Sequence, residues 1–138
     1  MKKKQIFNYE YTATGEINLE KAWLFLCNVN FWKEWDEDIQ EVILEGAFFR
    51  GNNGVMKMKN NQIIPFVIEN VAVKESFAVS VRTDGFIAIF SHILAEDAIT
   101  IKIVIEGLNK EYITQIGNKM IPSVIKSVNN LFALVKAN

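Results

Sequence analysis

The chain has 138 residues, half of them hydrophobic and 12% aromatic, and its formal net charge is −1. This length and apolar content suit one domain with its own core and exclude a disordered chain. A net charge near zero leaves no field to gather nucleic acid or an anionic membrane, and no segment approaches the roughly 20 apolar residues of a membrane span. We therefore expect a single domain over residues 1–138 that binds no nucleic acid and does not insert into a membrane.

The cysteine content and the N-terminal segment predict the compartment. Cys27 is the only cysteine, so no internal disulfide can form, and it falls in a helical apolar pattern typical of a buried, inert thiol. The basic run Lys2-Lys3-Lys4 is followed by an alternating, charged segment instead of the apolar region of a secretory signal. We expect a cytoplasmic protein.

The first 36 residues predict a strand, a helix and a short helical turn. Residues 6–14 alternate large and polar side chains, as a half-buried strand does. Asn18 is a candidate N-cap, and the apolar positions after it keep helical spacing as far as Val29, which predicts a helix of about three turns. The aromatic segment 30–36 is too short for another full helix, and we expect a helical turn packed against the core.

Residues 37–107 show a period of two. Candidate strands cover 38–45, 54–59, 66–73, 76–82, 86–95 and 98–106, with turns rich in Gly, Asn and Asp between them. Connections this short join antiparallel neighbours, so a six-strand meander is predicted. Because Pro65 cannot donate to a strand ladder, we expect the strand that contains Phe66 to start after it.

A helical period returns after Gly107. One apolar stripe runs from Ile113 to Val135 and predicts a long C-terminal helix, which needs an extended apolar surface such as a curved sheet. Pro122 falls inside this stripe and follows Gly117. Since proline removes a backbone hydrogen bond and collides with the preceding turn, we expect a kinked or two-piece helix, bent around residues 117–122, that acts as a gate.

Five segments, taken in order, are similar to motifs of one known superfamily. They are residues 18–23 (NLEKAW), 31–36 (FWKEWD), 51–58 (GNNGVMKM), 90–94 (FSHIL) and 130–131 (NL). Together with the order of elements they resemble the START-like (SRPBCC) superfamily, which includes polyketide cyclase/dehydrase-like proteins and plant pollen allergens. Two features depart from its pattern: Pro122 inside the last helix, and isoleucine at positions 89 and 93.

The resemblance covers essentially the whole chain and implies an α+β helix-grip fold. In this fold a curved antiparallel sheet of six or seven strands wraps around a long C-terminal helix, and a short helical segment follows strand 1. The resemblance further implies a cavity between sheet and helix that holds a small hydrophobic molecule, such as a lipid or a polyketide. It implies no cofactor, and the sequence has no cluster of histidine and cysteine that predicts a metal site.

Strand and helix phases indicate which residues would line such a cavity. The inward positions and their neighbours are Trp35, Met56, Met58, Phe66, Ile68, Val79, Phe90, His92, Ile101, Ile103, Met120 and Val124. The tryptophans at 32 and 35 either wall an entrance or fix the short helix. The methionines suit an adaptable cavity and an ordinary core equally well.

His92 is the only histidine and the only side chain that ordinarily titrates near neutral pH. If Phe90 and Leu94 face inward, so does His92. Two roles follow for it: a general acid or base in the cavity, or a hydrogen-bonded structural histidine beneath the long helix.

Three functions therefore stay open. The first is non-enzymatic binding of a small hydrophobic ligand, the second a polyketide cyclase or dehydratase that uses His92, and the third a protein-interaction module with a filled cavity. No nucleophile elbow, phosphate loop or spaced carboxylate pair supports another enzyme class. Strand 86–95 is apolar on both faces, which predicts an exposed patch on the outer sheet and a weak homodimer.

Overall fold

One antiparallel sheet forms the larger layer of the molecule. In the computed structural model, which describes residues 3–137, its strands are β1 (Gln5–Thr14), β2 (Ile39–Leu44), β3 (Asn53–Met58), β4 (Ile63–Ala72), β5 (Ser76–Arg82), β6 (Ile87–Ala95) and β7 (Ala98–Gly107). Their spatial order is β1-β7-β6-β5-β4-β3-β2. The predicted meander and the seven-stranded sheet are confirmed. Lys2 of the basic run lies outside the described residues.

The alternation along β7 shows which face is the core. Its four isoleucines, at positions 99, 101, 103 and 105, are each at most 2% exposed. On the opposite face the hydroxyls of Thr100 and Thr12 lie 2.8 Å apart, and Lys102 forms an ion pair with Glu10 at 3.6 Å. Because a shift of one residue would exchange the two faces, this pattern fixes the register of β7.

The helical elements of residues 3–137 are α1 (Leu19–Cys27), a 3₁₀ turn (Val29–Phe31), α2 (Trp32–Trp35) and α3 (Lys110–Val135). The side chain of Asn18 caps α1 by accepting a hydrogen bond from the Lys21 N–H at 3.0 Å. α1 ends at Cys27, earlier than predicted, because Asn28 leaves the helical conformation. The Asn28 side chain then accepts a hydrogen bond from the Asn30 N–H and starts the 3₁₀ turn.

Pro65 lies inside β4, so the prediction that this strand starts after it is wrong. The Met58 N–H donates to the Gln62 carbonyl at the hairpin. Hydrogen-bonded and non-hydrogen-bonded residue pairs alternate along β3 and β4 from that bond. The pair of Val55 and Pro65 is a non-hydrogen-bonded one, so Pro65 needs no hydrogen bond to β3. Pairing of β4 with β5 begins only at Val67. The missing N–H of Pro65 therefore removes no ladder bond on either side.

α3 is one continuous helix of 26 residues, so of the two predicted forms the two-piece helix is wrong, and the kinked helix stays a prediction. Pro122 lies on the exposed side of α3, where the Asn118 carbonyl that loses its helical donor is accessible to water. Gly117 is buried against β1, and a β-carbon there would collide with the ring of Phe7. The glycine therefore allows close approach of α3 to β1. No helix within residues 3–137 is long and apolar enough to cross a membrane.

Candidate functional site

α3 lies along one side of the inner face of the sheet. Its strand contacts are with β1 and β7, and α1 and α2 also touch it. The Lys110 ammonium donates to the Ile6 carbonyl at 2.7 Å, which ties the start of α3 to β1. The inward side chains of β3 to β6 consequently face the space beside α3, and this space is the candidate site.

An aromatic cluster fills one end of this space. The ring centroid of Trp32 lies 5.4 Å from that of Phe66 and 5.8 Å from that of Phe77. Its indole N–H donates to the Leu26 carbonyl at 2.8 Å, and the Trp35 indole donates to the Phe25 carbonyl at 3.0 Å. Both tryptophans are thus fixed to the C-terminal end of α1. These contacts hold α2 in place, which is one of the two roles considered for these residues.

The opposite end of the space is not sealed. Several apolar side chains there point inward by strand or helix phase and pack on the core, yet stay partly exposed. We call this group the mouth; it consists of Met56, Met58, Val81, Phe90 and, on α3, Met120. We add the half-buried Ile64, which has the same strand phase as Phe66. On β5 the contrast is direct, because Phe77 and Val79 are 2% and 5% exposed whereas Val81, on the same face, is only half-buried. Phe86 and Tyr112, whose centroids lie 6.2 Å apart, bring the N-terminal half of α3 to this end.

The structure places all twelve predicted cavity residues in the inner layer. Eight are buried: Trp35, Phe66, Ile68, Val79, His92, Ile101, Ile103 and Val124. The other four, Met56, Met58, Phe90 and Met120, are half-buried and belong to the mouth. Which of the twelve touch a ligand remains a prediction.

Sequence reasoning missed three residues around this space. Ile64 lies before the predicted start of the strand after Pro65, although its phase matches that of Phe66. Val81 continues the face of Val79, and that signal was available in the alternation. Phe48 contacts Phe77 with centroids 5.2 Å apart, but it comes from the loop between β2 and β3, where no periodicity marks it.

His92 is buried among aromatic rings and is 6% exposed. Its ring centroid lies 4.9 Å from that of Phe77 and 5.3 Å from that of Trp35. Neither ring nitrogen has a hydrogen-bond partner among the described residues. Burial lowers the pKa of His92 to about 4, so the imidazole is neutral at pH 7. The described contacts thus supply neither the hydrogen bonds of a structural histidine nor the second polar group that acid–base chemistry needs.

Asp36 begins the connection from α2 to β2, beside α3. Burial raises the pKa of this carboxyl to about 6, although a hydrogen bond from the Asp38 N–H at 3.1 Å opposes the shift. The next residue, Glu37, forms an ion pair with Lys126 of α3 at 2.7 Å. Asn130 of α3 also donates to the Trp35 carbonyl at 3.3 Å. These contacts fasten α2 to the middle of α3.

A separate depression of about 580 Å³ opens on the surface between the end of α1 and the edge strand β2. Cys27, Asn28, Asn30 and Glu41 contribute to its lining. Burial raises the pKa of the Cys27 thiol, which makes it a poor nucleophile at neutral pH. Among residues 3–137, no group of three histidine, cysteine or acidic side chains is arranged to hold a metal ion.

No protein-family model and no curated protein matches the sequence. Solved structures match with low identity. The di-domain ARO/CYC BexL from the BE-7585A biosynthetic pathway superposes with a TM-score of 0.74 at 11% identity over 96% of this chain and 51% of its own. Ara h 8.0201 gives 0.67 at 10% identity over 94% and 99% of the two chains.

Norcoclaurine synthase from Thalictrum flavum, in complex with dopamine and hydroxybenzaldehyde, gives a TM-score of 0.60 at 11% identity over 99% of this chain and 91% of its own. At such identities the likeness establishes architecture. The chain has the helix-grip fold that its resemblance to the START-like superfamily predicted.

Proposed function

We propose that the protein binds a small, largely apolar molecule that enters at the mouth and lies between the sheet and α3. The observation that supports this is the mouth itself, a group of inward-facing apolar side chains that stay partly exposed. Exposed apolar surface costs about 25 cal/mol per Å² relative to burial, so a second apolar body is favoured at such a surface. Small-molecule sites are also lined mainly by apolar and aromatic side chains, as the mouth is.

The composition of the mouth fits ligands of varied shape. Met56, Met58 and Met120 are unbranched, and their thioethers adapt to irregular surfaces. Phe90 offers an aromatic face at the deep end of the mouth. A structure with the same fold, norcoclaurine synthase, is in complex with dopamine and hydroxybenzaldehyde, which are small aromatic molecules.

Two adjacent residues of β4 provide a matched test. Ile64 faces the mouth, whereas Ile63 faces outward and is 56% exposed. The neutral fluorescent dye N-phenyl-1-naphthylamine should bind the native protein with enhanced emission. Ile64→Gln should weaken this binding at least about tenfold, because it places an amide in the apolar contact. Ile63→Gln should leave the affinity unchanged.

Circular dichroism spectra of both variants are the control and should match that of the wild type. Native protein that does not bind the dye, or equal losses from both substitutions, would contradict the proposal.

A further inference from the structure

We propose that His92 determines the chemical class of the ligand: an apolar molecule that carries a neutral hydroxyl group, as an alcohol or a phenol does, and hydrogen-bonds through it to the His92 ring. This inference rests on the proposed function, because it specifies the polar group of a molecule that enters at the mouth.

His92 lies next to the mouth on β6. Phe90 of the mouth and His92 are successive inward residues of β6, and two residues of a strand span about 6–7 Å. The ring of Phe77 covers one face of the imidazole, and the ring of Trp35 approaches it edge-on. Both ring nitrogens are closed to solvent, so a ligand at Phe90 reaches them by displacing the side chains between Phe90 and the imidazole.

The hydrogen-bonding capacity of the ring is unused by the described protein. A neutral imidazole has one N–H donor and one acceptor nitrogen, and neither is matched here. Two polar side chains of α3 and β1 already have partners: the Ser127 hydroxyl donates to the Val124 carbonyl at 2.9 Å, and the Tyr11 hydroxyl donates to Asn129 at 2.8 Å. Since buried polar groups in native proteins are nearly always paired, the ring is an open partner for a ligand.

The surroundings select a neutral group over an anion. A hydroxyl donates and accepts, so it can pair with either nitrogen of the imidazole. A carboxylate or phosphate would instead be buried beside a neutral ring among Phe77, Trp35 and the strand isoleucines, which is strongly unfavourable. Lys126 of α3 is exposed and paired with Glu37 at the surface. It therefore does not neutralise an anion at His92.

Three molecules with one skeleton test the inference: naphthalene, 1-naphthol and 1-naphthoate. Their affinities can be measured from protein tryptophan emission, since Trp35 lies beside His92. We expect 1-naphthol to bind about tenfold more tightly than naphthalene, the gain of one hydrogen bond, and 1-naphthoate to bind most weakly. His92→Leu should abolish the preference for 1-naphthol, and His92→Gln, which keeps a donor and an acceptor, should retain part of it.

A second readout does not depend on a variant. His92 is the only histidine, so its ring ¹⁵N resonances are assigned without ambiguity. 1-Naphthol should shift them and naphthalene should not. Equal affinities for naphthalene and 1-naphthol, a preference that survives His92→Leu, or binding of none of the three would overturn the inference. If N-phenyl-1-naphthylamine still binds in any of these cases, the proposed function stands without it.

Discussion

The imidazole of His92 on β6 lies parallel to the phenyl ring of Phe77, its direct cross-strand partner on β5, with 4.9 Å between centroids and 4° between planes. The indole ring of Trp35 packs edge-to-face with the imidazole of His92. A protonated imidazole in this position would lose its hydration without gaining a protein acceptor. The stacking therefore links the charge state of His92 directly to the stability of the fold.

Replacing His92 should change how stability depends on pH. The folded-state pKa is about 4, below the ordinary value of 6.5, so between these values the unfolded chain binds a proton that the folded chain does not. His92 therefore destabilises the wild type as the pH falls from about 6.5 to about 4, by at most about 3 kcal/mol. The free energy of unfolding of His92→Leu, from urea titrations, should gain on the wild type by about this amount between pH 7 and pH 4. If the free energies of unfolding of the two proteins changed with pH in parallel, the imidazole of His92 would be solvated in the folded state.

Asp36 should act in the opposite direction. Its folded pKa is raised to about 6, so the folded protein holds a proton more tightly, and this group disfavours folding as the pH rises from about 4 to about 6. Asp36→Asn keeps an oxygen for the Asp38 N–H and removes the buried charge. We expect it to stabilise the protein by about 1–2 kcal/mol at pH 7 and to change little at pH 4. Destabilisation at pH 7 would mean that the charged form is the one that α2 requires.

Gly117 should resist substitution although it lies in a helix. In an exposed helix Gly→Ala stabilises by about 1 kcal/mol, but here the added methyl group would collide with the ring of Phe7. Gly117→Ala should therefore destabilise the protein by about 1–3 kcal/mol. Asn118→Ala, at the adjacent exposed position, is the control and should be neutral or mildly stabilising. In a double-mutant cycle Phe7→Leu should recover much of the loss, and additive effects would place the strain elsewhere.

The elements were predictable where local chemistry decides them. The phase of the β7 isoleucines, the Asn18 cap and the turns of the meander are properties of short segments, and each is confirmed. The place of Pro65 inside β4 was not predictable, because it depends on where the pairing of β4 with β5 begins, which no local signal gives. Gly117 was misjudged for a similar reason, since its role comes from Phe7, which is more than 100 residues earlier in the chain.

The site was less predictable than the fold because exposure depends on the placement of whole elements. Alternation indicates that Val79, Phe90 and His92 face inward, and the same alternation extends to Val81, which the prediction omitted. The exposed fraction of such a side chain depends on which strands α3 covers and on which strands α1 and α2 cover. Both are tertiary properties. The neighbours of His92 likewise come from α2 and β5, which a single strand pattern does not reveal.

Self-association through the outer sheet face remains a prediction. Ile87, Ile89 and Ile93 of β6 are half-buried on that face, and Val67 of β4 is 37% exposed. We expect weak dimers at high concentration in sedimentation velocity experiments. Ile89→Lys should abolish these dimers. Ile43→Lys, on the edge strand β2, is the control and should leave them unchanged. A strictly monomeric wild type would exclude this use of the face.

Hydrogen exchange along α3 tests whether its N-terminal half moves at the mouth. Ile113 and Gly117 are buried in residues 110–121, whereas Val124, Ser127, Val128, Leu131 and Val135 are buried in the second half. The second half is also fastened to α2 through Asn130 and to the start of α1, where the Asn18 N–H donates to the Val135 carbonyl at 2.8 Å.

Pro122 removes one helical hydrogen bond between the two halves. Because fewer buried contacts hold residues 110–121, their amides should exchange faster than those of 124–135, and N-phenyl-1-naphthylamine should slow the first group most. Pro122→Ala restores the missing bond and should reduce the difference between the halves while leaving the dye affinity within about threefold. Uniform protection along the wild-type helix, with or without dye, would show that α3 is a rigid wall of the site and that Pro122 is a tolerated irregularity on its solvent side.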